Sequence, residues 1–480
     1  MAKRAAPAAF TAACTAAITL ALLGGCSMAP TYTPPQSSLP AAPEQFAEMQ
    51  GWAPAAPQDG AMRGDWWTVF GDPVLNDLEA RAAAASPTLA AALARYDQAR
   101  GAAGVAAADL YPQIGVSGDA SRNRVSAGRP LSSGSSATYN NYIIGGSASY
   151  ELDLWGRVRN SVKAGNAEAD ASQSDLASAR LSLQASVADA YLRLRGLDAQ
   201  AALLDRSVDA FQRAAQLTET RHEGGISSGI DVNRARTVLG NAQAQVASIA
   251  NQRAQTEHEL AALTGALAST FHVAPQEAAF ATPAIAVGTP SELLQRRPDI
   301  AAAERRVFAA NARIGVARAA WFPTIGLGAS GGWQTTGGNL LSAPNAMWAL
   351  GPLTALLNVF DGGARRSQVK ISRAEYDEAA ADYRSTVLDA FREVEDSIAA
   401  MRQLEAQGKA QQEAANAAQR TSEIAMSRYR DGAAGYLDVV TAQTDALDAQ
   451  RSAIAVDTER MRAAVSYVRA IGGPEEEKGG

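Results

Sequence analysis

The chain is built twice, and this duplication constrains its fold more than any other feature of the sequence. Three short motifs of the first half return in the second half at a spacing of about 210 residues. The motif pairs are 111–114 with 322–325, 154–159 with 360–365, and 221–225 with 428–432. A duplicated unit of this size predicts one pseudo-symmetric architecture rather than two unrelated domains.

The N-terminus has the pattern of a secretory signal that ends at a cysteine. Two basic residues precede an apolar run at 18–23, and a Leu-Gly-Gly sequence leads directly to Cys26. Such a pattern is typical of a bacterial lipoprotein, in which Cys26 becomes the first mature residue and carries lipid. The alternative is a signal peptide that merely contains a cysteine. Ser27, in the next position, favours the outer membrane over retention at the inner membrane.

The composition argues against several classes of protein. Charged residues make up 19% of the chain and the net charge is −6, which is not the balance of a nucleic-acid binder. The histidines at 222, 258 and 272 are not at ligand spacing, so we expect no metal site and no cofactor. No nucleophile or phosphate loop stands out, so we expect no enzyme. Beyond the signal no run of about 18 apolar residues occurs, so any membrane crossing would use strands.

Two long proline-free stretches predict unusually long helices. No proline lies between Pro130 and Pro275 or between Pro352 and Pro474. Helices over 157–222 and 365–430 would each reach roughly 100 Å at about 1.5 Å per residue. Apolar residues recur at steps of seven, as in coiled coils, although a soluble helical bundle would show the same pattern.

Glycines break the long helices, and a second helix follows each break. Each half is therefore predicted to contain a helical hairpin with a glycine-rich tip, at 224–229 and 432–435. A shorter helix precedes each Tyr-Pro or Phe-Pro motif, at about 86–110 and 296–320.

Between those prolines and the long helices, apolar and polar residues alternate, which predicts four strands with one apolar side. Pro352 falls in the fourth strand, where we expect a bulge or an edge position. Polar, glycine-rich loops at 122–140 and 335–345 would join the strand pairs. The apolar positions are Ile114, Val116, Gly118 and Ala120; Tyr142, Ile144, Ala148, Tyr150 and Leu152; Ile325, Leu327, Ala329 and Trp333; and Met347, Ala349, Leu353, Ala355, Leu357 and Val359.

Four strands are too few to enclose a pore within one chain. An open sheet in lipid would leave backbone groups at its edges without hydrogen-bond partners. Small closed barrels begin at about eight strands. Several chains must therefore pool their strands around a water-filled bore, with the loops outside the cell and the helices in the periplasm.

Five further motifs occur in order along nearly all of the mature chain. They are Trp-Trp-Thr-Val-Phe-Gly-Asp-Pro at 66–73, Arg-Arg-Pro-Asp-Ile at 296–300, Asn-Ala-Arg-Ile-Gly-Val-Ala-Arg at 311–318, Phe-Asp-Gly-Gly at 360–363 and Tyr-Leu-Asp-Val-Val at 436–440. With these motifs the chain resembles the TolC-like outer membrane efflux proteins (outer membrane factors), specifically the lipoprotein branch that partners resistance-nodulation-division pumps.

The resemblance implies an α+β membrane protein that forms a homotrimer. Three chains would supply a twelve-stranded β-barrel, four strands per chain, continuous with a long periplasmic α-helical barrel. The implied partners are a periplasmic adaptor protein, an inner-membrane efflux pump and outer membrane lipid.

Within one chain, the two repeats divide the sequence into six segments. We expect a signal peptide at 1–25, an N-terminal equatorial segment at 26–72, a first repeat at 73–265, an equatorial linker at 266–290, a second repeat at 291–473 and a tail at 474–480. The β-hairpins would lie at about 113–153 and 324–360, and the helical hairpins at 157–264 and 365–471.

The resemblance also implies a gate at the hairpin tips. Asp438 matches a family position that lines the constriction, where three copies would attract cations. The second family position is Thr441 here instead of aspartate, and Leu437 would supply an apolar plug. Asp231 is the equivalent residue of the first half; its alternative role is to favour the helix start, by about 0.3–1 kcal/mol.

Tyr429 and Asp231 match residues that tie neighbouring hairpins shut in relatives. The alternative for Tyr429 is simple packing between helices. The arginine that some relatives carry five residues after this tyrosine is Ala434 here. The adaptor would dock at the tip glycines, which are Gly224, Gly225, Gly229, Gly432 and Gly435.

Three functions fit these observations. The first is an exit duct for drugs or other toxic small molecules, opened by adaptor docking. The second has the same fold but exports proteins, metals or aromatic acids. The third is a structural coiled-coil lipoprotein without a pore. The lipoprotein signal and the Arg-Arg-Pro-Asp-Ile motif favour the first.

Overall fold

The structure is a computed structural model that describes residues 27–34, 65–128, 130, 134–276 and 297–473. The predicted signal peptide, lipidation at Cys26 and the tail at 474–480 lie outside the described residues, as do large parts of both predicted equatorial segments. The chain divides into two compact units. The first contains 1–39, 95–173 and 302–384, and the second contains 40–94, 174–301 and 385–480.

The described chain is mostly helical. A 3-10 helix at Trp66–Phe70 precedes the first α-helix. The α-helices are α1 (Pro73–Ala85), α2 (Pro87–Ala108), α3 (Arg157–Glu223), α4 (Gly229–Leu263), α5 (Pro298–Ala319), α6 (Ala364–Arg430) and α7 (Tyr436–Ala470). The long helices α3 and α6 have 67 residues each, and their successors α4 and α7 have 35 each. Among the described residues, no helix combines the length and the apolar character that a bilayer span requires.

One antiparallel sheet in the first unit contains all the described strands, in the order β1-β2-β3-β4. The strands are β1 (Gln113–Val125), β2 (Ala137–Leu152), β3 (Thr324–Thr335) and β4 (Ala346–Leu356). β1 and β2 extend into the predicted loop at 122–140, because the ladder continues to the pair Val125–Ala137. The loop prediction was therefore too long. The predicted fourth strand was also too long, because β4 ends before Leu357 and Val359.

The register separates an apolar face from a polar face. Directly paired residues point to the same side of a sheet. Ile114 pairs with Ala148, which pairs with Ala329, and Tyr150 pairs with Leu327, which pairs with Leu353. The opposite face carries glycine, serine and acidic residues, such as the pair of Ser147 with Ser330. The predicted alternation is confirmed for β1, β2 and β3. In β4 it is wrong for Met347 and Ala349, because they pair with Gly332 and Ser330 of the polar face.

The fourth strand contains the bulge that its proline predicted. The register of β3 against β4 shifts between Leu327 and Ala329, where Gly351 and Pro352 together lie opposite one residue. β4 is also an edge of the sheet, so the missing N–H of proline interrupts a ladder on one side only. Both parts of the expectation for Pro352 are confirmed.

The Asn-Ala-Arg-Ile-Gly-Val-Ala-Arg motif of α5 holds the N-terminal segment of the first unit. The Asn311 side chain donates to the carbonyl oxygen of Pro30 at 3.0 Å. A Cβ atom at Gly315 would lie only 2.8 Å from the Cβ of Ala29, so no larger residue fits there without a shift. These two motif residues have a packing role.

In the second unit, buried ionic contacts fix a connecting segment to α3 and α4. Asp198 of α3, only 2% exposed in its side chain, accepts from both Arg195 and Arg253. Arg195 also donates to the carbonyl oxygen of Ala274 at 2.8 Å, and Arg253 to that of Val273 at 2.6 Å. Tyr191 accepts from Arg195 and donates to Asp72, and Glu257 accepts from Arg253 and from the N–H of Val273. We call these six side chains and the segment 271–276 the linker network.

The Arg-Arg-Pro-Asp-Ile motif has a comparable structural role. The Arg297 guanidinium pairs with Asp299 at 2.6 Å and with Glu393 of α6 at 2.8 Å. It also donates to the carbonyl oxygen of Ala470 at 2.9 Å, near the end of α7. One buried arginine therefore joins the start of α5 to two other helices of the second unit.

Candidate functional site: the two hairpin tips

The first tip is a tight glycine turn followed by a capped helix. Gly225 has φ of 73°, a left-handed conformation that glycine adopts without strain. Its N–H donates to the carbonyl oxygen of His222 at 2.9 Å, which satisfies one of the last carbonyls of α3. Ser228 then caps α4: its hydroxyl accepts from the N–H of Asp231 at 3.2 Å, while the Asp231 carboxylate accepts from the Ser228 hydroxyl at 2.8 Å.

The second tip repeats the turn but lacks the side-chain cap. Gly432 has φ of 75°, and its N–H donates to the carbonyl oxygen of Tyr429 at 3.0 Å. Gly435 occupies the cap position of α7 and has no side chain to offer. The Asp438 carboxylate accepts from the N–H of Gly435 at 3.3 Å. Asp231 and Asp438 therefore both act on the start of their helix, whatever further role they have.

An arginine at the first tip, Arg221, contacts Tyr429 at the second tip. Arg221 of α3 donates to the carbonyl oxygen of Tyr429 at 2.7 Å, and its guanidinium lies 4.5 Å from the centre of the Tyr429 ring. The Tyr429 hydroxyl lies 3.2 Å from the hydroxyl of Thr218 and 3.4 Å from that of Ser227. These contacts join the two hairpins of one chain.

Two tyrosines form the buried centre of this junction. Tyr429 and Tyr436 are each 3% exposed, and their rings meet edge to face at 5.5 Å. Burial raises the pKa of Tyr436 to about 12, and the neighbouring Tyr429 and Asp231 act in the same direction. Ala214, Ala235 and Val439 complete the cluster. The packing role that we considered for Tyr429 is therefore present within the chain.

A shallow groove beside the cluster brings the start of α4 close to the start of α7. Its volume is about 430 Å³. We call it the tip groove; it is lined by Ile230, Asn233, Arg234, Thr237, Val238, Leu437 and Val440. Ile230 is 65% exposed and Leu437 is 51% exposed, so large apolar side chains reach solvent at both helix starts.

The predicted gate residues fall into two groups. Leu437, Asp438 and Thr441 are exposed and lie within four residues of one another on α7. Tyr429 is buried, and no hydrogen bond of the described chain joins it to Asp231, whose carboxylate contacts Ser228 instead. A bond between these two residues of neighbouring chains stays a prediction. The five tip glycines lie at the breaks, where Gly224 and Gly225 follow α3, Gly229 begins α4, Gly432 follows α6 and Gly435 precedes α7.

Sequence reasoning missed the contribution of Arg221. We noted that Ala434 replaces an arginine of some relatives, whereas the structure places a different arginine against the same tyrosine. No sequence rule connects Arg221 with Tyr429, because the two residues are 208 positions apart. The Ser228 cap could have been found, since Ser-x-x-Asp before a helix is a capping signal.

The chain is similar to known proteins over nearly its whole length. The family model described as "Outer membrane efflux protein" matches residues 78–266 and 289–473. The probable efflux pump outer membrane protein TtgC of Pseudomonas putida is 32% identical over 460 residues, covering 95% of this chain and 94% of that protein. Outer membrane protein OprJ of Pseudomonas aeruginosa is 34% identical over 457 residues, covering 94% and 93%. The solved outer-membrane channel OprN superposes with a TM-score of 0.84 at 27% identity, covering 94% and 99%.

Proposed function

Because the chain belongs to the outer membrane efflux protein family, we propose that three copies form the exit duct of a tripartite efflux system. The family assignment confirms the resemblance that the sequence motifs indicated, together with the outer-membrane location and the role in efflux. This is a family of channel and transport components, not of enzymes. The duct would be passive, and its cargo would be drugs or other toxic small molecules that reach it from the periplasm.

The open sheet is the observation that supports the assembly of three chains. Its apolar face suits lipid, but β1 and β4 are edges whose outer backbone groups have no partner in the described chain. Such edges are not stable in a bilayer. Pairing β1 of one chain with β4 of the next, three times, would close a twelve-stranded barrel, with the internal repeat giving further pseudo-symmetry. The glycine- and serine-rich face would then line a water-filled bore that leads into a helical barrel.

A cross-linking experiment tests this assembly. Single cysteines along β1, combined with single cysteines along β4, should yield disulfide-linked trimers and nothing larger in outer membranes. Single cysteines along β2 combined with single cysteines along β3 are the matched control. Both strands pair only within one chain, so these cysteines should link no chains together. Monomers throughout, or a ladder beyond three chains, would contradict the closed trimer. Single-channel conductance of the purified protein separates a duct from a structural lipoprotein without a pore.

The gate is the second part of the proposal. The exposed group of Leu437, Asp438 and Thr441 on α7 would narrow the bore at the periplasmic end, with Leu437 as an apolar plug. Three Asp438 carboxylates would favour cations, since like charges about 4 Å apart repel by about 1 kcal/mol even in water. The single ring of aspartates would be weaker than a double one, because Thr441 is uncharged.

Asp438→Asn separates the two roles of this residue. Asparagine keeps the oxygen that accepts from the N–H of Gly435 but loses the charge. We expect a weaker cation preference with little change in helix stability. Asp431→Asn is a matched control, because Asp431 is exposed in the same tip but lies outside the proposed ring. An unchanged cation preference in Asp438→Asn would remove Asp438 from the gate.

Opening would be driven by the periplasmic adaptor. The five tip glycines would form its docking surface, and Asp231 of one chain would bond Tyr429 of its neighbour in the closed state. Docking needs to stabilise the open state by only a few kcal/mol to shift such an equilibrium. Adaptor-dependent conductance, measured with and without the inner-membrane pump, tests this step.

Cys26 would anchor the chain in outer membrane lipid. Stable anchoring requires more than one acyl chain, and a fully acylated cysteine supplies it. Labelling with radioactive palmitate should be lost in Cys26→Ser. Retained labelling would contradict the lipoprotein assignment.

A further inference from the structure

The loop end of the sheet carries an excess of positive charge that the rest of the chain does not share. Between Asp119 and Glu151 the only Asp, Glu, Lys, Arg or His residues are three arginines, at 122, 124 and 129. The second strand pair, 324–360, contains no Asp, Glu, Lys, Arg or His at all. The whole chain has a net charge of −6. The basic character is therefore local to one end of the sheet.

The register puts two of these arginines on the apolar face. Arg122 pairs with Asn140 and Arg124 with Thr138, two and four positions beyond the pair of Ala120 with Tyr142. Along this face of β1 the side chains run Ile114, Val116, Gly118, Ala120 and then the two arginines. Both arginines are exposed, and no hydrogen bond or ion pair connects either guanidinium with another described residue.

The carboxylates of the sheet lie on the other face. Asp119 pairs with Ile143 and Glu151 pairs with Gly326, positions that alternate with the apolar ones. Glu151 is in addition neutralised by Arg157 at 2.7 Å. Neither carboxylate can therefore neutralise the two outward arginines from the same face.

Aromatic residues separate the apolar part of this face from the arginines. Tyr142 lies opposite Ala120, and Trp333 lies opposite Ile144. An apolar band, then tyrosine and tryptophan, then cations is the order of a surface that passes from hydrocarbon to headgroups. Two arginines at alternate strand positions lie about 7 Å apart, so both can reach one phosphorylated headgroup.

We propose that Arg122 and Arg124 bind the phosphate groups of a phosphorylated glycolipid in the outer leaflet around the barrel. The inference rests on the proposed function, because it takes the apolar face to be the one that contacts lipid. Anionic cargo in the bore is a less suitable ligand, since the register directs both arginines away from the polar face. Guanidinium groups bind phosphate oxygens through paired charge-assisted hydrogen bonds.

The test uses the purified full-length protein in neutral detergent micelles with a fluorescent diphosphorylated lipid A. Arg122→Gln combined with Arg124→Gln should weaken binding about 30-fold, since each arginine near a charged lipid surface contributes about 1 kcal/mol. Arg366→Gln with Arg373→Gln is the matched control: it removes two exposed arginines from α6 and should change the affinity less than twofold. Wild-type binding should also weaken with salt more steeply than that of the double variant.

Two further ligands identify what is recognised. Dephosphorylated lipid A should bind no better to the wild type than to the double variant, and inorganic phosphate should not compete at millimolar concentration.

Equal binding of diphosphorylated lipid A by the wild type and the double variant, or equal binding of the two lipids by the wild type, would overturn the proposal. Conductance and oligomeric state are measured on the same samples. A conducting trimer with unchanged lipid binding refutes this inference alone, whereas a monomer without conductance refutes the proposed function and this inference with it.

Discussion

Two places along the α3–α4 pair are held together by different chemistry. In the linker network, the buried Arg195 and Asp198 and the partly buried Arg253 share partners, and the two arginines donate to backbone carbonyls of 271–276. At the tips, the two hairpins are joined around Tyr429 by single hydroxyl and carbonyl hydrogen bonds, and Arg221 is the only charged side chain of the described residues that takes part in them.

This difference makes the contacts of the linker network costly to break and those at the tips easy to break. Breaking one member of a buried ionic network leaves its partners uncompensated in a medium of low dielectric, which costs about 3–5 kcal/mol. A neutral hydrogen bond contributes only about 1 kcal/mol, and water replaces it when the groups separate. If an adaptor docks at the tips, as proposed, we expect their contacts to exchange partners while the linker network stays intact.

The largest effect should come from breaking the linker network. Asp198→Asn leaves two arginines without their shared carboxylate, and we expect the unfolding free energy of the second unit to fall by about 3–5 kcal/mol. Amide exchange in 271–276 and the midpoint of thermal unfolding measure it. Asp205→Asn, an exposed site on the same helix, should change the free energy by less than about 0.5 kcal/mol. Equal effects of the two variants would show that the network does not fix this region.

Glu79 of α1 is the exception near the linker network, because it is a buried carboxyl group without a hydrogen-bond partner among the described residues. Burial, together with a smaller contribution from the charge of Asp65, raises the pKa of Glu79 to about 9. The folded state then binds the proton more tightly than the unfolded state does. Its contribution to stability is complete below the unfolded pKa of 4.5 and is lost as the pH rises towards 9.

Glu79→Gln should remove the loss of stability that the ionisation of Glu79 causes as the pH rises. We expect the variant to be more stable than the wild type by roughly 5 kcal/mol at pH 8 and by almost nothing at pH 4.5. Unfolding midpoints across this pH range measure the difference. A difference that does not grow with pH would mean that Glu79 is not the buried acid described above.

At the tips, Arg221→Gln should loosen the junction of the two hairpins. The variant loses a charged hydrogen bond and a cation–π contact to Tyr429, together about 2 kcal/mol. If the tips gate the duct, the open fraction should rise about 30-fold in single-channel records without an adaptor. Arg428→Gln is the matched control, since Arg428 is the repeat equivalent of Arg221 but is exposed. An equal rise in both variants would assign the effect to net charge rather than to the contact.

The sequence allowed the elements to be predicted far better than the contacts that distinguish these two regions. The absence of proline and the glycine breaks limited the long helices to 157–222 and 365–430, within one residue of the observed α3 and α6. The alternation predicted the faces of β1, β2 and β3 because its period is a local property, but the bulge in β4 moved Met347 and Ala349 to the polar face. Asp198 and Arg253, in contrast, read as ordinary surface charges of coiled-coil helices, 55 positions apart. Only the fold brings such residues together, as it brings Arg221 to Tyr429.

The smallest predicted effect comes from the helix caps, which differ between the two tips. Ser228 caps α4 while the equivalent Gly435 leaves α7 without a side-chain cap. Gly435 has φ of −78°, and a Cβ atom there would meet nothing within 4 Å, so serine fits without strain. Gly435→Ser should stabilise the start of α7 by a few tenths of a kcal/mol, and Ser228→Gly should destabilise α4 by a similar amount. Amide exchange in the first turn of each helix measures both. The double variant should reverse the order of protection between the two tips, and an unchanged order would mean that contacts around Tyr436, rather than the caps, decide which helix start opens first.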